Sequence, residues 1–163
     1  MINHPLTQQT VYIETSVVSY LTARLSHDLI MAAHQKITFD WWENRRSHFD
    51  LYTSELVIQE AGRGDPQAAK KRLNILPNLP LLDINEDVQK LVEIFLTRQV
   101  IPTKVREDAI HISIAIVYGI DYLLTWNCKH IANVEIQKVI TKISNEAGYE
   151  IPIFCTPEVL MGE

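Results

Sequence analysis

Cysteine is scarce in this chain: Cys128 and Cys155 are the only two among 163 residues. They show no CxxC spacing and no histidine pattern of the zinc type, so a structural zinc is not expected. Two thiols in this length build no disulfide framework, which suits a reducing compartment. Basic charge is also short, with 15 Lys and Arg against 20 Asp and Glu and a formal charge of −5. That balance argues against a broad nucleic-acid surface; a phosphate partner would need a local basic patch or a metal. Apolar runs are short or interrupted, so no membrane span is expected. The opening MINHPLTQQT has no basic-then-apolar leader pattern, and a cytoplasmic location is the expectation. Glycine-rich phosphate loops are missing too, because AGRGD lacks the spacing and flanks of a P-loop or dinucleotide fingerprint.

What is present is an alternation of short β-type runs with longer helical patterns across one domain, residues 1–163. Strand character is expected at 11–14, 51–53, 79–84, 122–126 and 153–155, with Pro80 arguing that the third of these is an edge. Helices are expected from a Thr15 or Ser16 cap to about Leu25, from the Asp28 cap to about Arg46, and from the Ser54 cap through Ala61. Further helices follow the Asp65-Pro66 start, the Asn85 cap to about Gln99, and Thr103 up to Gly119. Residues 127–132 and 134–147 also read as helical, and Thr156-Pro157-Glu158 opens a terminal turn. The pattern implies an α/β domain with a mostly parallel sheet of about five short strands flanked by helices. In such sheets ligands sit beyond the carboxyl ends of the strands. Glu14 and Asn127 would both be delivered there.

Acids stand where apolar residues belong. Glu14 ends the first strand in VYIETSVVSYL. Glu60 shares a helical stripe with Leu56, Val57 and Ala61, and Asp108 shares one with Ala109, Ile112 and Ala115. Each has a plainer explanation: Glu60 as a boundary residue, Asp108 as an acid favoured by the helix dipole, Glu14 as the partner of an arginine. Carboxylates gathered at one crevice repel each other, and a divalent cation is the usual reason to gather them. All-oxygen ligands point to Mg²⁺ or Mn²⁺.

VYIETSVVSYL, SELVIQE, DAIHISIAIVYGIDYLLTWN and the closing CTPEVL stand in an order and spacing that resembles the PIN-domain family. Within it the chain looks like VapC-type toxins of toxin–antitoxin pairs. The resemblance implies a three-layer fold with a parallel sheet flanked by helices. It implies metal-dependent endoribonuclease activity with Mg²⁺ (or Mn²⁺), RNA as substrate, a cognate antitoxin and a homodimer as partners. The family's acids fall on Glu14, Glu60, Asp108 and Asn127. Glu14, Asp108 and Asn127 would ligate the metal, Glu60 would hold a water or act as a base, and Ser16 and Thr125 would position water or substrate. Two positions depart from the pattern: Glu14 and Asn127 stand where the family usually has Asp. An alternative function is therefore a PIN-fold RNA-binding or regulatory protein with weakened or no nuclease activity.

Arg24, Arg45, Arg46, Arg63 and Lys129 are the groove cations suggested by position, with solvated surface charge as the default reading; Lys70-Lys71-Arg72 reads as the polar face of a helix. His111, three residues after Asp108, reads as a buried hydrogen-bonded histidine, while His34, His48 and His130 show no ligand spacing. Trp41-Trp42 reads as helix packing, and Val17, Val18, Tyr20 and Leu21 as core or as a contact for antitoxin or second copy. A phosphoacceptor receiver domain is a poor match. It needs paired acids after the first strand and a lysine near the end of a late strand; one acid follows the first strand and residues 153–155 have no such lysine.

Overall fold

The computed structural model describes residues 8–162. Five parallel strands form its centre: β1 (Thr10–Ile13), β2 (Asp50–Ser54), β3 (Leu81–Leu82), β4 (Tyr122–Leu124) and β5 (Ile153–Cys155), in the order β3-β2-β1-β4-β5. Seven helices surround the sheet: α1 (Thr15–Thr22), α2 (Leu29–Asn44), α3 (Glu55–Ala61), α4 (Pro66–Leu73), α5 (Glu86–Thr97), α6 (Arg106–Val117) and α7 (Val134–Glu146). The arrangement is a three-layer α/β fold. Its signature is β1, whose Val11, Tyr12 and Ile13 are all fully buried. Successive strand residues point to opposite faces, so both faces of the central strand are covered, as parallel sheets require.

The helix starts are local chemistry. The side chains of Asp28, Ser54, Asp65 and Asn85 each accept the backbone N–H three residues on, which satisfies an orphan donor of the first turn. Three starts were not legible. α1 (Thr15–Thr22) is capped by Glu14 rather than by Thr15 or Ser16 and stops short of Leu25. α6 begins at Arg106 rather than Thr103, because residues 103–105 make a tight single turn after Pro102 with no side-chain cap. Asp108 therefore stands in the first turn of α6, where unpaired N–H groups favour a carboxylate. Residues 127–132 form a hydrogen-bonded turn, not a helix. The Asn127 carbonyl accepts both Ile131 N and Ala132 N, which closes the turn before Asn133 caps α7. The third strand shrinks to two residues and lies at the sheet edge, as Pro80 demands. Val17 and Val18 are core, and Tyr20 and Leu21 pack against it half-buried. Trp41 and Trp42 are buried packing residues. No helix among the described residues is long and apolar enough to cross a membrane.

β1 leads from the sheet into α1 at Glu14, β2 into α3 at Ser54, and β4 into the turn at Thr125. The strands are parallel, so all three exits lie at one edge of the sheet. Asp108 and His111 reach the same region from α6.

Candidate functional site

Glu14 caps α1. Its Oε2 accepts the Ser16 N–H at 3.0 Å, the Thr125 hydroxyl at 2.8 Å and the Ser16 hydroxyl. Both hydroxyls are themselves aimed by backbone: Trp126 N donates to Ser16 Oγ at 2.8 Å, and Asn127 N donates to Thr125 Oγ1 at 3.0 Å. The β4 exit thus locks the carboxylate of the β1 exit. No arginine takes part. A carboxylate that is 5% exposed is tolerated because one oxygen collects three donors.

Glu60 is held on its Oε1, by the Thr15 hydroxyl at 2.7 Å and by His111 Nε2 at 2.5 Å. His111 is fully buried, and its Nδ1 lies 2.7 Å from the Tyr12 hydroxyl, which lies 2.8 Å from Ser54 Oγ. Glu60, His111, Tyr12 and Ser54 form one buried polar chain. With His111 cationic, Nε2 donates to Glu60 and Nδ1 to the phenol oxygen, which donates on to Ser54 Oγ. Burial alone would raise the Glu60 carboxyl; the hydrogen bond and charge of His111 and the Thr15 hydroxyl outweigh it and bring the pKa to about 2. Burial alone would lower His111; the Glu60 hydrogen bond and the charges of Glu14, Glu60 and Asp108 outweigh that and raise it. Burial holds the Tyr12 phenol well above its usual range, and the charges of Glu14 and Glu60 push the same way against the Ser54 hydrogen bond.

Asp108 Oδ2 pairs with His130 Nδ1 at 3.0 Å, and no arginine touches it. Arg63, one of the basic candidates from the sequence, grips Glu107 with two bonds of 3.0 and 2.9 Å instead. Asn127 Oδ1 accepts the His130 N–H at 3.0 Å, so the amide first of all fixes the turn that carries His130.

The three carboxylates share a design. In each, one oxygen is fastened by fixed donors. Glu14 Oε1 and Asp108 Oδ1 receive no hydrogen bond among the described residues, whereas Glu60 also has the Glu107 carboxyl within hydrogen-bonding reach. Among the described residues, no three His, Cys, Asp or Glu side chains enclose a metal position. Mg²⁺ does not require such a cage: it keeps several waters and takes one or two carboxylates plus substrate phosphate. The oxygen donors at hand fit that chemistry.

Thr15, Tyr12 and His130 belong to the site and were not singled out from the sequence. Tyr12 sits in a strand run where an aromatic reads as core, and His130 has no helical spacing to any acid in sequence. Its spacing of three from Asn127, the reach of a side-chain-to-backbone turn bond, is the one signal that marks it. Of the other cations named, Arg45 and Arg46 lie over the Phe49 and Trp42 rings at the end of α2, and Lys129 is exposed on the 127–132 turn. Comparison with protein-family models, with curated proteins and with solved structures gives no match to this chain.

Proposed function

We propose that the protein is a metal-dependent endoribonuclease of the PIN-domain, VapC-like kind, the toxin of a toxin–antitoxin pair that acts in the cytoplasm. One observation carries the reading: Glu14 at the β1 exit, Glu60 on α3 and Asp108 on α6 all act by their charge on the buried His111, and Glu14 and Asp108 each have one oxygen anchored and the other without a hydrogen-bond donor among the described residues. Glu14 and Asp108 are the residues that would hold Mg²⁺ or Mn²⁺, with Asn127 third. Bound there, the ion supplies charge relief on the phosphate and an activated water. The chain's own residues supply the rest. Ser16 and Thr125 hold the Glu14 carboxylate in place, and His130 does the same for Asp108. Glu60, at about 2, is ionised at neutral pH and too weak a base to take a proton efficiently. Its part is electrostatic and positional, which narrows the two roles its sequence position allowed.

Cleavage of a mixed RNA substrate in Mg²⁺ or Mn²⁺ tests the reading. Asp108→Asn should lower the rate by at least about a hundredfold and should remove the stabilisation by Mn²⁺ that wild type shows in thermal melts. No metal-dependent cleavage by the wild type would sink it. The second reading, an RNA-binding or regulatory protein without cleavage, is favoured by Asn127, a neutral side chain whose oxygen is committed to His130 N. Metal and RNA binding with no cleavage would select it. The toxin reading also brings an antitoxin and a homodimer as partners.

A further inference from the structure

Beside the acids runs a groove of about 480 Å³ between α1 and α4, lined by Ser19, Thr22, Arg24, Gln67, Lys71 and Arg72 with Asp65 at one end. We infer that this groove is a track for the phosphodiester backbone of single-stranded RNA, with Arg24 and Lys71 as its phosphate contacts. The substrate class rests on the ribonuclease reading; the groove itself rests on placement and charge.

Both walls are fastened to α3 or the residues that end it. On one side the Thr15 hydroxyl bonds Glu60, and Ser19 and Thr22 follow at i+4 and i+7 on the same face of α1. At 1.5 Å per residue the stripe runs about 10 Å from the acids into the groove. On the other side Arg72 Nε donates to the carbonyl of Ala61, next to Glu60, and Arg72 Nη2 donates to that of Arg63. Arg72 is thus a brace that sets α4 against the end of α3. Arg24 sits on a fixed backbone. The buried Gln35 side chain donates to the Arg24 carbonyl at 2.9 Å and accepts Ser26 N at 2.9 Å, which clamps the α1–α2 turn.

The charge is local and opposite in sign to the chain. Arg24, Lys71 and Arg72 face one carboxylate, Asp65, which is engaged as the α4 cap by Ala68 N at 2.9 Å. Arg24 and Lys71 are exposed and make no ion pair among the described residues, whereas Arg63, Arg98 and Arg106 do. Two unpaired cations beside hydroxyls and an amide, in a chain of net charge −5, form a site for a polyanion. A strand lying there leads straight to the acids.

The test is binding of a short fluorescent oligoribonucleotide in EDTA, where no metal-dependent cleavage occurs. Arg24→Glu with Lys71→Glu should weaken binding about tenfold or more at low salt and reduce the slope of log affinity on log salt by about 0.7 per contact. Lys138→Glu with Lys142→Glu, the same charge change outside the groove, should do neither, and thermal melts check that each variant folds. Unchanged RNA binding in the double variant overturns the proposal, and so does a poly-glutamate peptide that binds in a groove-dependent way while RNA does not. The two readings fail separately. RNA binding that depends on the groove without any cleavage removes the nuclease and keeps the track; Asp108-dependent cleavage with unaltered binding in the double variant does the reverse.

Discussion

At the scale of single residues the site is a problem of charge burial, and hydroxyls solve it. Thr15, Ser16 and Thr125 give Glu14 and Glu60 donors without adding positive charge, so the carboxylates stay available to a cation. His111 pairs with Glu60, and that pair makes stability depend on pH from both sides. The Glu60 carboxyl falls from 4.5 in the unfolded chain to about 2 in the folded one. Its contribution is complete above about pH 4.5 and is lost as pH falls toward 2. His111 is raised above 6.5, so its contribution is complete below that value and is lost as pH climbs through the higher folded value. Denaturant midpoints of wild type should therefore fall on both sides of the window from about pH 4.5 to 6.5. Glu60→Gln should flatten both limbs. A variant with the wild-type pH profile would show that the pair carries no linkage.

At the scale of elements the fold depends on starts and stops. The Asn85 side chain accepts Val88 N at 2.9 Å and opens α5, which buries Val88, Leu91, Val92, Phe95 and Leu96 against the core and packs on α6. α6 carries Asp108 and His111, so α5 is the platform beneath half of the site. Asn85→Ala should cost about 1 kcal/mol in a urea titration, with little change in metal affinity because no site residue moves. Asn85→Asp should recover most of the loss, and a variant as stable as wild type would remove the cap from the account. The caps at Asp28, Ser54, Asp65 and Asn85 were readable because a cap is a contact over three residues. The 127–132 turn was misread as helix because its decisive bonds are the double use of one carbonyl and an amide side chain, which helical periodicity does not encode.

For the whole molecule, apolar side chains are left at one end of the helical layer. Leu25, Leu29 and Ile30, on the α1–α2 turn and the first residues of α2, are 73%, 86% and 70% exposed. Adjacent exposed apolar residues of this size mark interaction surfaces, which supports the homodimer that the toxin reading includes. Light scattering of the purified chain should give twice the chain mass. Leu29→Asp with Ile30→Asp should return it to a single copy, with unchanged circular dichroism. A wild-type protein that stays at one chain mass at high concentration would remove the dimer.

The sequence by itself determined the α/β alternation, the edge position of the strand at Pro80 and four helix caps, since each depends on neighbours within a turn or on strand periodicity. The sheet order β3-β2-β1-β4-β5 did the rest. It brings Glu14 to Thr125, Glu60 to His111 and Tyr12 to Ser54, pairs that lie 111, 51 and 42 residues apart. It also pairs Arg63 with Glu107 and brings Arg24 and Lys71 to one groove. No local rule selects such partners. They follow from which strands lie side by side, and that is settled only when the apolar faces of β1, α5 and α6 are buried together.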